Sequence, residues 1–204
     1  MTRLAHRRPA TGVSVLGVVA ALLLSVFAAT AVGGSGASAS ETLLPLEATI
    51  YIKADKKGLR FVAPDTIEAG ASLKIVNQTD PRKIGPHTFS LVTKGSLPKT
   101  PNARKLCFAK GHICRAIAGW HGVKGNGPVK ENPAEAGLPG WDTLGNLSRD
   151  GDSWFSGNKP GGSITQPVSV DVAAGPTRIY FLCAVHPWMQ GSSEIVPAPG
   201  PTAG

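Results

Sequence analysis

The sequence predicts an all-β fold, a two-layer sandwich or barrel, and three observations carry that expectation. Short stretches rich in Val, Ile, Thr, Phe and Tyr recur along the chain with turn residues between them. Several of these stretches alternate apolar and polar residues with the period of two that a half-buried strand requires. Glycine and proline, 25 and 17 of the 204 residues, punctuate them without reaching the level of a low-complexity chain. Charged residues make up 17% and aromatic residues 6%. With no heptads and no recurring unit of 20–50 residues, coiled coils, solenoids and propellers are set aside.

Residues 1–39 read as an address and not as part of the fold. Arg3, Arg7 and Arg8 precede an apolar run from Val13 to Val32, and Ala37-Ser38-Ala39 closes the segment. A basic, an apolar and a small-residue region in that order make a secretory signal peptide, with cleavage before Ser40. An uncleaved membrane anchor is the alternative, since the run is long enough to span a bilayer. The net charge of +8 includes those three arginines, leaving 18 bases against 13 acids in the rest of the chain. The remaining bases are scattered, so they read as a solvated surface and not as a nucleic-acid patch.

The mature chain, residues 40–196, is expected to be one domain. Residues 46–53 and 59–62 make a hairpin about the turn Asp55-Lys56-Lys57-Gly58, and Thr66-Ile67-Glu68 and 72–77 follow as strands. In 87–93, Phe89 and Leu91 share one face while Thr88, Ser90 and Val92 share the other. Val168–Val172, Arg178–Cys183 and Ser193–Val196 complete the set. Residues from about 94 to 166 read as an insertion, with Trp120, Trp141 and Trp154 among many glycines and prolines. A helix over Ala103–Ala118 is predicted there. The rest is expected to be irregular and packed by its own tryptophans, covering or serving a site. Residues 197–204 read as a flexible tail.

Three cysteines in an exported chain leave one unpaired. Cys107 and Cys114 are the natural pair. On one uninterrupted helix, seven residues at about 1.5 Å each would hold them roughly 10.5 Å apart, beyond the ~7 Å limit for a disulfide. A bridge therefore requires a bend, which Gly111 can supply, and it leaves Cys183 over.

Cys183 opens the segment Cys183-Ala-Val-His186-Pro187-Trp188-Met189-Gln-Gly191, with Cys, His and Met at spacings of three. A strand followed by a tight loop turns all three toward one point. Thiolate, imidazole and thioether together suit copper, and two His, one Cys and a weak axial Met form the electron-transfer arrangement. The second His is expected to be His87, which follows Gly85-Pro86 and opens a strand. His112 and His121 lie in the insertion without such a setting.

With these residues assembled, the chain resembles the cupredoxin family. Its ligand loop is similar to the short amicyanin- or plastocyanin-like type, and Asn77 through Pro86-His87 resembles the upstream Asn…Pro-His segment of that family. The resemblance implies a Greek-key β-sandwich and one copper ion, cycling between Cu(I) and Cu(II), on His87, Cys183, His186 and axial Met189. It further implies a secreted electron carrier, not an enzyme, with a redox partner docking near His186, Pro187 and Trp188. Copper delivery without redox turnover, or a copper-free binding module, are the alternative functions. The family often carries Asn directly after the first His, where it ties the two ligand loops together. Thr88 stands there in this chain.

Overall fold

The computed structural model describes residues 46–123, 135–137, 139–168 and 178–198. Ten strands lie among them: β1 (Glu47–Asp55), β2 (Gly58–Val62), β3 (Thr66–Glu68), β4 (Ser72–Asn77), β5 (Thr88–Leu91), β6 (Glu135–Ala136), β7 (Ser153–Phe155), β8 (Ser163–Pro167), β9 (Arg178–Leu182) and β10 (Gln190–Val196). They form two sheets, ordered β2-β1-β4-β8 and β3-β10-β9-β5-β7-β6. Both are mixed, since β1 runs parallel to β4 and β3 parallel to β10 while the other pairs are antiparallel.

Alternation decides which residues lie between the sheets. Ile50, Ile52, Leu73 and Ile75 face inward from the first sheet, and Phe89, Leu91, Ile179, Phe181 and Ile195 from the second. Phe61, Phe89, Phe181 and Trp141 pack as a group with centroids 5.0–5.7 Å apart, three of the four contacts edge-to-face, the geometry favoured by ring quadrupoles.

The outer face of the second sheet is covered by the middle of the chain. Helices α1 (Pro81–Ile84), α2 (Pro101–Lys105) and α3 (Ile113–Trp120) are all short. Ile113, Cys114, Ile117 and Trp120 of α3 pack on Val92, Leu182 and Ala184, which alternate with the inward-facing residues of β5 and β9. This is the division of faces expected for Phe89 and Leu91 against Thr88, Ser90 and Val92.

The middle of the chain differs from expectation in three ways. The helix expected over 103–118 is two helices, because Cys107 and Cys114 are disulfide-bonded with Cα atoms 5.0 Å apart, and no continuous helix permits that. Gly111, at φ 81°, makes the bend. The described remainder is not wholly irregular, since β7 pairs with β5 and β8 pairs with β4. Nor do the tryptophans pack only among themselves. Trp141 and Trp154 join the core between the sheets, and the Trp141 indole N–H donates to the Leu73 carbonyl at 3.2 Å. Trp120 lies so close over Gly145 that a Cβ there would collide with its ring. Residues 1–45, the strand expected over 169–172 and the tail from 199 lie outside the described residues; Val168 itself is buried and bonded to Gly70 and Ala71.

Candidate metal centre

Two connections at one end of the sandwich build the site. The first leaves β4 at Asn77 and returns into β5 at Thr88. Asp80 caps α1 by accepting the Arg82 N–H at 3.1 Å, and Pro81 begins the helix without needing a donor. Gly85, at φ 93°, ends it and leads through Pro86 to His87. The second connection joins β9 to β10. The Cys183 N–H donates to the Met189 carbonyl at 3.0 Å and the Met189 N–H to the His186 carbonyl at 2.8 Å, folding the loop back on itself.

His87, Cys183 and His186 meet where these connections approach, and their ligand atoms all lie within 4.8 Å of one another. Cys183 Sγ is 3.9 Å from His87 Nδ1 and 3.7 Å from His186 Nδ1. All three residues are buried, His186 retaining 8% exposure. Met189, the fourth expected residue, is buried in the sandwich core at the end of the same loop.

Hydrogen bonding fixes which imidazole nitrogen faces the centre. His186 Nε2 lies 3.2 Å from the Ile84 carbonyl, which can only accept, so Nε2 carries the proton and Nδ1 a lone pair. His87 Nε2 lies 2.9 Å from Thr79 Oγ1, whose own hydrogen goes to Asn77 Oδ1 at 2.7 Å. The threonine therefore accepts from His87 Nε2–H, and here too Nδ1 keeps its lone pair. The Thr79 N–H also donates to Asn77 Oδ1, at 3.0 Å, which settles the orientation of that amide. Asn77 Nδ2 is left buried without a partner, a cost that falls on the residue setting the His87 tautomer.

Burial makes the three donors neutral. It pulls the His87 imidazole down to about 4, with the neighbouring His186 adding to the fall, and it lowers His186 as well. It pushes the Cys183 thiol up to about 11, against the opposing effect of hydrogen bonds from Thr88, His186 and Val185. Three buried donors, none with a countercharge, thus face one another. A cation among them would replace the thiol proton and compensate the sulfur charge. For a first-row ion at about 2.0 Å from nitrogen and about 2.3 Å from sulfur in a trigonal plane, each N–S edge would be about 3.7 Å. The observed edges fit.

Several residues that support the site were not anticipated from the sequence. Ser156 accepts the His87 N–H at 2.9 Å on its hydroxyl and returns its own N–H to the His87 carbonyl at 2.9 Å. Thr79 has a sequence signal in Asn77-x-Thr79, a spacing suited to an Asx turn. Ser156 has none, because it stands 69 residues from its partner. Thr88 stands where the family often has Asn and performs the tie with different atoms. Its N–H donates to Cys183 Sγ at 3.4 Å and its hydroxyl accepts the Ala184 N–H at 2.8 Å. Trp188 is 53% exposed, its ring edge-on to His186 with centroids 5.1 Å apart. His112 precedes α3 and stays outside the cluster, as expected, and His121 is fully buried elsewhere.

No family model matches this chain, and no curated protein matches it. Among solved structures it is similar to auracyanin B, at 11% identity over 74% of this chain and 89% of that one, with a TM-score of 0.39. It is also similar to auracyanin A, a "blue" copper protein from Chloroflexus aurantiacus, at 16% identity over 74% and 99% with a TM-score of 0.36. A mutant fern plastocyanin shares 17% identity over 73% and 100%, with a TM-score of 0.31. Two facing mixed sheets, a core of alternating inward residues, and a His/Cys/His cluster on the connections leading into β5 and out of β9 give this chain a cupredoxin-like β-sandwich fold.

Proposed function

We propose that this protein is a secreted mononuclear copper protein that carries electrons. The observation that carries the reading is that both imidazoles turn unprotonated Nδ1 atoms toward one buried thiol, with both tautomers set by hydrogen bonds on the far nitrogen. His87, Cys183 and His186 would hold the ion, with Met189 as a fourth, weaker ligand. This soft-to-borderline donor set suits copper. Copper bound there supplies a one-electron couple.

The chain's own part is to hold the donors still and dry. The Cys183–Met189 loop is closed by its own backbone, and Thr88, Ser156 and Thr79 each fasten a ligand segment from outside it. A site that changes little between redox states exchanges electrons with little reorganisation. Exposed Trp188 beside His186 supports a docking face for a redox partner, since His186 retains the most surface of the ligands; Pro187, expected on that face, is buried. The Cys107–Cys114 disulfide fits an oxidising compartment. Among the described residues no helix is long and apolar enough to cross a membrane.

Titration of the protein with Cu(II), followed by visible absorption beside a Cys183→Ser control, tests the reading. An intense sulfur-to-copper band saturating near one equivalent, and absent from the control, is expected. A colourless protein, or a band indifferent to Cys183, overturns it.

A further inference from the structure

On the outer face of the second sheet lies a line of polar groups that the ligand set does not use. Thr88 and Ser90 are two apart on β5 and share a face, and Ser153 on β7 is paired directly opposite Ser90. All three are buried, as is His121, which ends α3. Their surroundings are apolar, with Val92, Leu182 and Ala184 packed against α3. Hydroxyls in such a place are costly unless each is satisfied.

Counting hydrogens gives the line a direction. Ser90 Oγ–H donates to Thr88 Oγ1 at 3.1 Å. A hydroxyl has one hydrogen, so Ser90 accepts from Ser153 Oγ, 2.7 Å away. The Ser153 hydrogen is thereby committed, and Ser153 accepts from His121 Nε2–H at 2.8 Å. At the other end, Thr88 Oγ1 accepts from both Ser90 and the Ala184 N–H. Thr88 in turn donates its backbone N–H to Cys183 Sγ at 3.4 Å. Every hydrogen in the line points from His121 toward Thr88, the residue whose N–H is bonded to Cys183 Sγ.

We propose that His121 is a positioning residue of the metal centre, acting on the Cys183 sulfur through the one-way chain Ser153, Ser90 and Thr88. The inference rests on the reading of Cys183 as a copper ligand. Aligned hydroxyls polarise one another and turn their positive ends toward Thr88, whose N–H is bonded to the sulfur, so they favour negative charge there. Hydrogen bonding around a ligating cysteine is one of the means by which a copper potential is tuned. Less charge donated from sulfur to the metal favours the reduced state. Without the His121 donor, Ser153 is free to turn and the chain can reverse. Ser90 then donates to Ser153 and withdraws its hydrogen from Thr88, while Ser153→Ala removes the donor that polarises Ser90; in both cases the positive field that the line carries to Thr88 and the sulfur falls.

Two measurements test this. In metal-free, nitrogen-15-labelled wild type, NMR is expected to show His121 carrying a slowly exchanging proton on Nε2; an imidazole without that proton overturns the proposal. In the copper-loaded protein, His121→Leu and Ser153→Ala are each expected to lower the midpoint potential and move the sulfur-to-copper band in one direction. The double variant should go no further, and His121→Gln, which keeps an N–H donor, should restore both. If His121→Leu does not fold, Ser153→Ala and the wild-type tautomer decide. Folded, copper-loaded variants with unmoved potential and band overturn this proposal alone. A wild type without the band overturns the copper reading and this proposal with it.

Discussion

Thr88 and Ala184 stand 96 residues apart and are joined by a 2.8 Å hydrogen bond, the Ala184 N–H donating to the threonine hydroxyl. That bond fastens the β5 end to the residue after Cys183, and the Thr88 N–H to Cys183 Sγ runs beside it. Thr88→Val keeps the shape and deletes the hydroxyl, leaving the buried Ala184 N–H and Ser90 hydroxyl without their acceptor. A loss of about 1–3 kcal/mol in stability is expected. Chemical denaturation of the metal-free variant measures it, and Thr88→Ser should recover most of the loss.

The Asn77–Thr79–His87 series predicts an effect on metal affinity beyond the stability cost of an orphaned donor. Thr79→Val removes the acceptor for His87 Nε2–H, so nothing holds the ring in the tautomer that leaves Nδ1 free. Outer partners of metal-bound histidines are worth roughly 10–100-fold in affinity. Competition against a chelator of known affinity should show a fall of that size in Thr79→Val and little change in Thr79→Ser.

The metal-free protein should have a domed stability profile in pH. His87 falls from its ordinary 6.5 to about 4 on folding, so below 6.5 the unfolded chain takes up a proton that the folded one refuses. Stability is then lost as pH falls from 6.5 through 4, and the lowered His186 acts in the same sense. Cys183 rises from 9.0 to about 11, so its contribution is complete below pH 9 and lost as pH rises through 11. Denaturation midpoints at acid, neutral and alkaline pH should peak between about 6.5 and 9. Copper binding at neutral pH should release close to one proton, that of Cys183, because both imidazoles are already neutral. Calorimetry in buffers of differing ionisation enthalpy counts it.

The parts of this fold that were legible in the sequence are those whose signal is local. β1, β2, β4, β5, β9 and β10 carry their inward residues at every second position, and Cys183, His186 and Met189 announce themselves by spacing. β7 and β8 do not. Ser153–Phe155 is three residues, all buried, with no alternation to read, and Ser163–Pro167 is an edge strand with one buried residue. Their pairing is decided by β5 and β4, far back in the chain. The hydroxyl chain is hidden for the same reason, since His121 and Ser153 are 32 residues apart and Ser90 and Ser153 are 63 apart.

Trp141 tests whether the middle of the chain is an accessory or part of the core. It is 1% exposed, stacks edge-on with Phe89 at 5.1 Å, and bonds to Leu73 across the sandwich. An accessory tryptophan could be truncated cheaply, whereas Trp141→Ala in a core should cost about 3–5 kcal/mol. A melting temperature close to that of the wild type would return Trp141 to the accessory role.

The Cys107–Cys114 disulfide is expected to contribute stability without holding the metal. It closes a short loop, for which chain entropy gives about 2.5 kcal/mol. Its cysteines pack with α3 against Leu182 and Ala184, the neighbours of Cys183, while the ligands are fastened by Thr79, Thr88 and Ser156. The double variant Cys107→Ala/Cys114→Ala should therefore unfold at lower denaturant yet still bind one equivalent of copper with its sulfur-to-copper band. Loss of copper stoichiometry in the folded variant would show that α3 holds the ligand loop directly, and that the hydrogen bonds alone do not suffice.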